Sequence, residues 1–591
     1  MPTLQTRAPL WRIQTPDPAH LEDLVQKHGV SRLVASLLAN RGHRAGQATA
    51  SHLEPNLQDL ADPMALPDME LACERLERAI RDGEMILVHG DYDVDGVTGT
   101  TLLVRLFQHL GARVSWHIPS RFDDGYSFGE HSLRKAEEVG ARVVISVDNG
   151  TSSVETIGAL KAMGIDTIVT DHHEPPKGDL PAAVAIVNPK LETSTYPFRE
   201  LCGAAVAFKL AWGLCQRISG SERVRDDLRQ FLVDSMGLVA IATVCDVVPL
   251  ENENRILCQY GLKALGASRA PGFQALLEVT NLTGRTLCAE DVAFQVGPRI
   301  NAAGRLETAA RAVEVFLAPD LVSGRNAARR LDDLNIQRRE LERELTELAM
   351  AQAEPFAQDD DMPVILVGGQ GWHQGVIGIV ASRLVDRFGK PALVFGFDGD
   401  EGRGSARSVP GFSILEAMHA GAEFMGRYGG HEQAAGCDLS EKNLPALREA
   451  INREARRILE ERPLNAAHLE IDADVPFENM VEAQMRQIDR LEPFGSGNGA
   501  PVLLSRDLRL ADSPRRIGAD GSHLMFQVRQ GNVVHKALFF GAGARASELA
   551  PARPVHLVYT PRWNTFRGET SLQLVVKDMH CGDRLPLAPA R

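Results

Sequence analysis

The sequence predicts an α/β protein with a parallel-sheet domain, a long connecting helix, a second α/β unit and a C-terminal β-barrel. Three observations carry this reading. Between about residues 71 and 250, short continuous apolar runs alternate with helical patterns, as strands buried on both faces do. A charged helical stretch follows from about Leu321 to Glu354, with Leu331, Leu334, Leu341, Leu345 and Leu348 at three- and four-residue steps. Past about residue 465, short alternating strands are separated by turn residues, the pattern of a small barrel or sandwich.

In chain order, residues 1–70 read as short helices and turns leading into DPMALPDME. Glu70–Asp82 reads as a helix and MILVHG (85–90) as a buried strand ending at a glycine. Thr98–Leu110 reads as a helix and RVSWHIP (113–119) as a strand. Ser132–Val139 and Val154–Met163 read as helices, RVVISVDNG (142–150) and DTIVTDHH (166–173) as strands. Residues 200–320 read mostly helical. The leucine steps of 321–354 predict one apolar stripe packed on a neighbour, in a helix that joins two domains. PVILVGG (363–369) opens the second α/β unit. RLADSPRRIG, HLMFQVRQG, VVHKALFFG, PVHLVYTPRW and TSLQLVVKDM read as the last strands. The predicted domains are a lead-in (1–70), the first α/β domain with its helical part (71–320), the connecting helix (321–356), the second α/β domain (357–462) and the barrel (463–585).

Composition narrows the function. The 591 residues suffice for about three to five domains at roughly 100–200 residues each. The net charge of −14 argues against a uniformly basic nucleic-acid surface. The basic charge is local: from Ser505 onward, 13 Lys and Arg stand against 7 Asp and Glu. Phe526, Phe539, Phe540, Tyr559, Trp563 and Phe566 are interleaved with them. A basic groove with stacking aromatics is what sequence-independent single-strand binding uses. Some of these rings must fill the barrel core; Phe526, Tyr559 and Trp563 are the stacking candidates. The eight cysteines form no CxxC, which argues against a zinc ribbon or a thioredoxin-type site. Their scatter fits a reducing cytosol. Neither a signal-peptide core nor a run of about 18 apolar residues is present, so no membrane partner is expected.

The chemistry is written at the strand ends. The first strand runs into His89-Gly90-Asp91-Tyr92-Asp93-Val94-Asp95-Gly96, a later one into Asp148-Asn149-Gly150, the next into Asp171-His172-His173. Asp246 sits in the otherwise apolar IATVCDVVPL. Taken singly, an Asp after a strand is commonly a helix cap or turn former. Together, three strand ends aim carboxylates and imidazoles at one edge, where ligands bind in parallel sheets. Crowded there, the carboxylates repel one another and lose water, a conflict that divalent cations resolve. Mixed carboxylate and imidazole donors suit Mn²⁺, with Mg²⁺ at oxygen-rich positions.

These segments, HxxxDxD, a later Asp, DHH and a further Asp, resemble the four motifs of the DHH phosphoesterase superfamily. The resemblance implies a first metal site of His89, Asp93 and Asp148, and a second of Asp95, Asp148, His172 and Asp246, with Asp148 bridging. It implies that His173 contacts the scissile phosphate or protonates the leaving group. Asp171 would orient a ligand imidazole, and Asp91 would have a supporting role. Two such cations would support phosphodiester hydrolysis without a covalent enzyme intermediate.

Four further segments resemble the single-strand exonuclease branch of that superfamily: VGPRINAAGRL (296–306), GWHQGVIGIVASRL (371–384), GRGSARSVPGF with YGGHEQAAG (402–412 and 428–436), and LEPFGSGNGAP (491–501). Arg403, Ser405 and Arg407 read as part of a Gly-rich loop suited to phosphate oxygens. By resemblance, Arg121, Arg305, Ser405 and Arg407 form a pocket for a 5′-terminal phosphate, and His431 lies near the DNA backbone. The strand would thread between the two α/β domains, and the barrel would be an OB-fold. The implied activity is 5′→3′ degradation of single-stranded DNA to 5′-mononucleotides in repair and recombination, with Mn²⁺ or Mg²⁺. The implied setting is a monomer in the bacterial cytoplasm, acting at the nucleoid with single-strand-binding protein and a RecQ-type helicase. Two other classes compete: a hydrolase of short oligonucleotides or dinucleotides, and a binding factor with a dead core. The second requires missing ligands, and all six predicted ligands are present.

Overall fold

The computed structural model describes residues 10–588 except 122–123, 125–127, 465–467, 551–552 and 567–568. The first nine residues of the lead-in and the Phe566 side chain lie outside the described residues. The chain divides into two compact units, one drawn from residues 10–119, 126–297 and 468 onward, the other from 120–125 and 298–467.

The first unit is built on five parallel strands: β1 (Ile86–His89), β2 (Val114–His117), β3 (Val143–Val147), β4 (Asp166–Thr170) and β5 (Ala185–Val187), in the order β2-β1-β3-β4-β5. Ile86, Leu87, Val88, Val143, Val144 and Ile145 are fully buried, as a sheet covered on both faces requires. The covering helices include α1 (Met69–Asp82), α2 (Val94–His109), α3 (Glu130–Val139), α4 (Val154–Ala162), α5 (Gly203–Ser219) and α6 (Asp226–Cys245). Strand order reverses between β1 and β3, which opens a crevice at their carboxyl ends. The sequence reading missed β5, whose three residues are too few for a pattern. It also began α2 too late, at Thr98. Asp93 Oδ1 accepts the N–H groups of Asp95 (2.9 Å) and Gly96 (3.1 Å), so the acidic segment is itself the helix's first turn. By length and composition α6 could cross a membrane, yet most of its apolar stretch is buried inside the fold.

The second unit carries α7 (Leu321–Ala357) and a mixed sheet of β6 (Ile365–Gln370), β7 (Ala392–Asp398), β8 (Glu401–Arg407), β9 (Met425–Gly430) and β10 (Ala434–Ser440), ordered β9-β10-β8-β7-β6. The far half of α7 is a layer of this unit's core: Leu345, Ala349 and Ala353 pack with Ile365, Val367 and Val380. The buried face advances in steps of four, so Leu348 falls off the predicted stripe and is 55% exposed.

The GRGSAR segment is β8, an inner strand between β7 and β10, and not the predicted loop. Its glycines make room for rings. A Cβ on Gly402 would lie 2.2 Å from Phe397 Cδ1, and one on Gly404 would lie 2.3 Å from Phe395 Cε1.

The last region of the first unit is a closed barrel. Strands β11 (Leu503–Leu510), β13 (His523–Gln530), β14 (Val533–Phe539), β15 (Val555–Phe566) and β16 (Glu569–Cys581) form it, and β12 (Arg515–Ile517) pairs with β13 alone. β11 pairs with both β15 and β13, which closes the ring. The predicted strand RLADSPRRIG is broken in two. Pro514 lacks an N–H, and Asp512 Oδ1 accepts the Gln527 N–H (2.7 Å) at the turn. Leu21, Leu24, Val34, Leu37 and Leu38, from the helices Pro18–His28 and Arg32–Asn40, share one apolar core with the barrel's Phe526, Leu557 and Tyr559. The buried Arg255 guanidinium donates to the carbonyls of His52 (2.8 Å) and Leu491 (2.8 Å), tying the helical part to the lead-in and to the segment that enters the barrel.

Candidate metal centre

The site is assembled from strand ends and the helices that follow them. Gly96 lets α2 lie close to the chain after β1; a Cβ there would fall 2.4 Å from the Asp91 nitrogen. The Asp95 carboxylate accepts the N–H groups of Gly203 (2.6 Å) and Ala204 (2.7 Å), so the N-terminus of α5 fixes it. Asp148 follows β3 in a left-handed conformation (φ 64°), which Asp tolerates better than most residues. Facing it, Gly203 has no room for a side chain, since a Cβ would fall 2.7 Å from Asp148 Cβ. Asp171 follows β4. Its Oδ1 accepts from the backbone of His172 (2.8 Å) and His173 (3.1 Å), and its Oδ2 from the Thr151 N–H (3.0 Å).

Three groups of donor atoms result, each within 4.8 Å: Asp91, Asp93 and Asp148; Asp95, His172 and Asp246; and Asp148, His172 and His173. His172 Nε2 lies 3.1 Å from Asp148 Oδ1 and 3.7 Å from both Asp95 Oδ2 and Asp246 Oδ2. Asp148 is common to two groups, that of Asp91 and Asp93 and that of His172 and His173, and it is not in the group of Asp95, His172 and Asp246. His89 does not join Asp93 and Asp148; Asp91 stands in its place. His89 is still in the β1 ladder, in register with His117 and Ser146, and its Nε2 lies 2.9 Å from Ser132 Oγ of α3. Asp91, two residues past the strand, reaches over its end. The sequence carried this signal in DxDxD, where Asp91, Asp93 and Asp95 alternate.

Electrostatics mark the crowding. Burial, then the neighbouring Asp95, Asp93, Asp91 and Asp246, push the Asp148 carboxyl well above its ordinary range. Burial and Asp93 push Asp95 up to about 7; burial, Asp95 and Asp93 push Asp246 up to about 8. Burial, then His173, lowers His172 to about 4, which leaves it neutral and able to ligate. The Asp171 hydrogen bond raises His173 to about 9. Burial alone would raise Asp171, but His173 and Thr151 together hold it below the usual carboxylate range. Asp148 Oδ1 and His172 Nε2 are buried without a hydrogen bond. Oxygen donors with one imidazole fit a pair of divalent cations of the Mn²⁺ or Mg²⁺ kind.

In the second unit, Ser405 and Arg407 are neighbours on one face of β8, with Arg407 Nη1 3.1 Å from Ser405 Oγ. Arg305 donates to the Gly375 carbonyl (3.0 Å). Burial, then Arg121, Arg338 and Arg407, lower Arg305 to about 10; burial and Arg121 lower Arg407. Arg121, Arg305, Ser405 and Arg407 thus gather in one cationic patch. The sequence reading did not name Arg338 or Gly378. A Cβ on Gly378 would lie 2.9 Å from Ser405 Oγ, so the first turn of the helix Ile377–Phe388 closes on these side chains. His431 is on the exposed turn between β9 and β10, where its N–H bonds the Ala434 carbonyl (2.8 Å).

Two predicted stacking rings are excluded. Phe526 and Tyr559 are buried in the barrel, and the Tyr559 hydroxyl is 2.9 Å from Ser505 Oγ. They occupy inward positions of alternating strands, the fate of most barrel aromatics. Trp563 is partly buried against the same core, and its indole N–H donates to Asp489 (3.0 Å). Phe540, 56% exposed and edge-on to His523, is a solvent-facing ring that was not among the stacking candidates. Arg515, Arg516 and Arg529 are exposed on the same barrel.

Comparison with known proteins places these parts. Residues 85–243 match the DHH family, N-terminal domain; residues 361–457 match the DHHA1 domain; residues 471–578 match the RecJ OB domain. The chain is 35% identical over 570 residues to the single-stranded-DNA-specific exonuclease RecJ of Bacillus subtilis, covering 96% of this chain and 70% of that protein. It is 34% identical over 567 residues to the protein of the same name from Escherichia coli, covering 93% and 95%. It is similar to the crystal structure of RecJ in complex with Mn²⁺ from Thermus thermophilus, with a TM-score of 0.81 and 30% identity, over 98% of this chain and 80% of that one. The corresponding Mg²⁺ complex gives a TM-score of 0.76.

Proposed function

The chain belongs to the family of the single-stranded-DNA-specific exonuclease RecJ, and from that premise we infer that Asp91, Asp93, Asp95, Asp148, His172 and Asp246 hold the two cations of its hydrolytic centre. The protein is a metal-dependent exonuclease of single-stranded DNA that uses Mn²⁺ or Mg²⁺ and serves repair and recombination. The carrying observation is Asp148: one buried carboxylate belongs both to the Asp91–Asp93 group and to a His172 group. A bound cation pair supplies Lewis-acid activation of water and neutralises the phosphoryl oxygens in an in-line displacement.

The chain's own groups do the rest. Asp148, held toward its protonated form by burial and the neighbouring carboxylates, would have to give up that proton to hold a cation. Asp171 orients His173 and keeps its ring protonated at neutral pH. His173, 3.9 Å from Asp148 and half-exposed, is placed to donate that proton to the departing 3′-oxygen. The Arg121, Arg305, Ser405 and Arg407 patch binds the terminal 5′-phosphate by charge-assisted hydrogen bonds, which sets the 5′→3′ direction and the 5′-mononucleotide product. The same reading makes the protein a cytoplasmic monomer that meets its strands through single-strand-binding protein and a RecQ-type helicase, which co-purification would test. The central test compares 5′-labelled and 3′-labelled single strands with Mn²⁺. Early release of the 5′ label as mononucleotide is expected; early release of the 3′ label overturns the assigned direction.

A further inference from the structure

Three imidazoles that the carboxylate centre does not use lie together near the end of β1. Donor nitrogens of His89, His117 and His131 all fall within 4.8 Å of one another. His89 ends β1, His117 ends the edge strand β2 in register with it, and His131 is in the first turn of α3. The ring centroids are 5.1 to 5.4 Å apart. His89 and His131 are buried, while the half-buried His117 gives the cluster its side toward solvent. Phe128 packs edge-on against His89 at 4.7 Å. His89 is fully buried, and its Nδ1 makes no hydrogen bond.

We propose that His89, His117 and His131 form a zinc site distinct from the Mn²⁺ or Mg²⁺ centre. Zinc binds three imidazoles in a tetrahedral arrangement, with Zn–N bonds of about 2.0–2.1 Å. Two nitrogens on one such ion stand about 3.3 Å apart. His117 Nε2 and His131 Nδ1 are already 3.2 Å apart, so the ion would replace the proton they share without moving either ring far. His89, with a donor nitrogen within 4.8 Å of both, would complete the triad, and the fourth position is left for water. The two centres divide metals by donor type. All-nitrogen donors favour Zn²⁺ over Mg²⁺ and Mn²⁺, whereas carboxylate-rich donors suit the harder ions. The zinc would join β1, β2 and α3, and it would pin the strand end from which Asp91 and Asp93 project.

The test uses the full chain carrying Asp148→Asn, which weakens the carboxylate centre. After stripping and equilibrium dialysis against Zn²⁺ with excess Mg²⁺, metal analysis should find one Zn²⁺ per chain. Adding His117→Gln and His131→Gln should remove it. Zinc should also raise the melting temperature of the Asp148→Asn chain and not that of the chain with both glutamines. A second measurement needs no histidine variant: Co²⁺ in the Asp148→Asn chain should give the visible absorption of tetrahedral nitrogen ligation. No retained zinc, retention unchanged by the glutamines, or a purely octahedral Co²⁺ spectrum overturns the proposal.

Discussion

His173 Nδ1 lies 2.8 Å from Asp171 Oδ1, and the same oxygen accepts the backbone N–H groups of His172 and His173. One carboxylate therefore fixes the backbone of both histidines, and it orients the His173 ring and sets its charge. His173 is raised to about 9 by this bond, so it is protonated through neutral pH and loses its proton as pH rises through about 9. Asp171→Asn should move the alkaline limb of the kcat profile down toward the ordinary histidine range. His173→Ala should lower kcat by about 10²–10⁴, the usual share of a general acid. Parallel pH profiles for wild type and Asp171→Asn would rule out the proton-holding role.

The exchange of His89 for Asp91 is directly testable. Asp91→Asn should lower Mn²⁺ affinity by more than the roughly 10–100-fold expected of an outer-shell residue. His89→Gln should change Mn²⁺ affinity little. Titration calorimetry on both variants decides; the reverse ranking restores His89 as the ligand.

Asp148→Asn should abolish turnover, because the one carboxylate common to two donor groups is lost, while single-strand affinity persists. Asn is the replacement of choice at φ 64°, where Ala is strained. Measurable turnover at saturating Mn²⁺ would remove Asp148 from its bridging place.

Cation affinity should climb with pH. Without cations Asp95 titrates near 7 and Asp246 near 8, both above the ordinary Asp range. Below those values a cation must displace protons, and above them it need not. Mn²⁺ binding should therefore tighten from pH 6 to 9 and release protons near pH 7, a release that calorimetry in buffers of differing ionisation heat detects. Affinity flat across that range contradicts the raised carboxylates.

Two barrel phenylalanines should behave oppositely. Phe526→Ala removes a buried ring and should cost about 3–5 kcal/mol of stability. Phe540→Ala should leave stability unchanged and weaken single-strand binding by about 1–3 kcal/mol. Thermal melts and fluorescence titration read the two effects separately, and unchanged DNA affinity in Phe540→Ala would exclude it as a stacking ring.

Four of the five strands of the catalytic sheet were legible as short apolar runs between helical patterns. The acidic strand ends were legible because Asp and His at such positions have few structural uses in combination. What escaped the sequence depended on packing. His89 and Asp91 differ by two positions, and only the length of β1 decides which passes the strand end. Gly402 and Gly404 read as turn formers until Phe395 and Phe397 are laid over them. Phe526 and Phe540 are alike as sequence, and the closed ring of strands sorts them into core and surface. The Leu348 position was misplaced for a similar reason, since alanines continue the buried face of α7.

The helices Pro18–His28 and Arg32–Asn40 share their core with strands that begin at Leu503. On the ribosome, at about 5–20 residues per second, those helices are made roughly half a minute to a minute and a half before their partners. During that interval Leu21, Leu24, Val34, Leu37 and Leu38 lack the barrel side of their native cover. The barrel is thus the last part of its unit that can close, and its closure sequesters the first part made. Nascent chains stalled before the barrel should be the most dependent on chaperones, a burden placed by topology and independent of the chemistry at the metal centre.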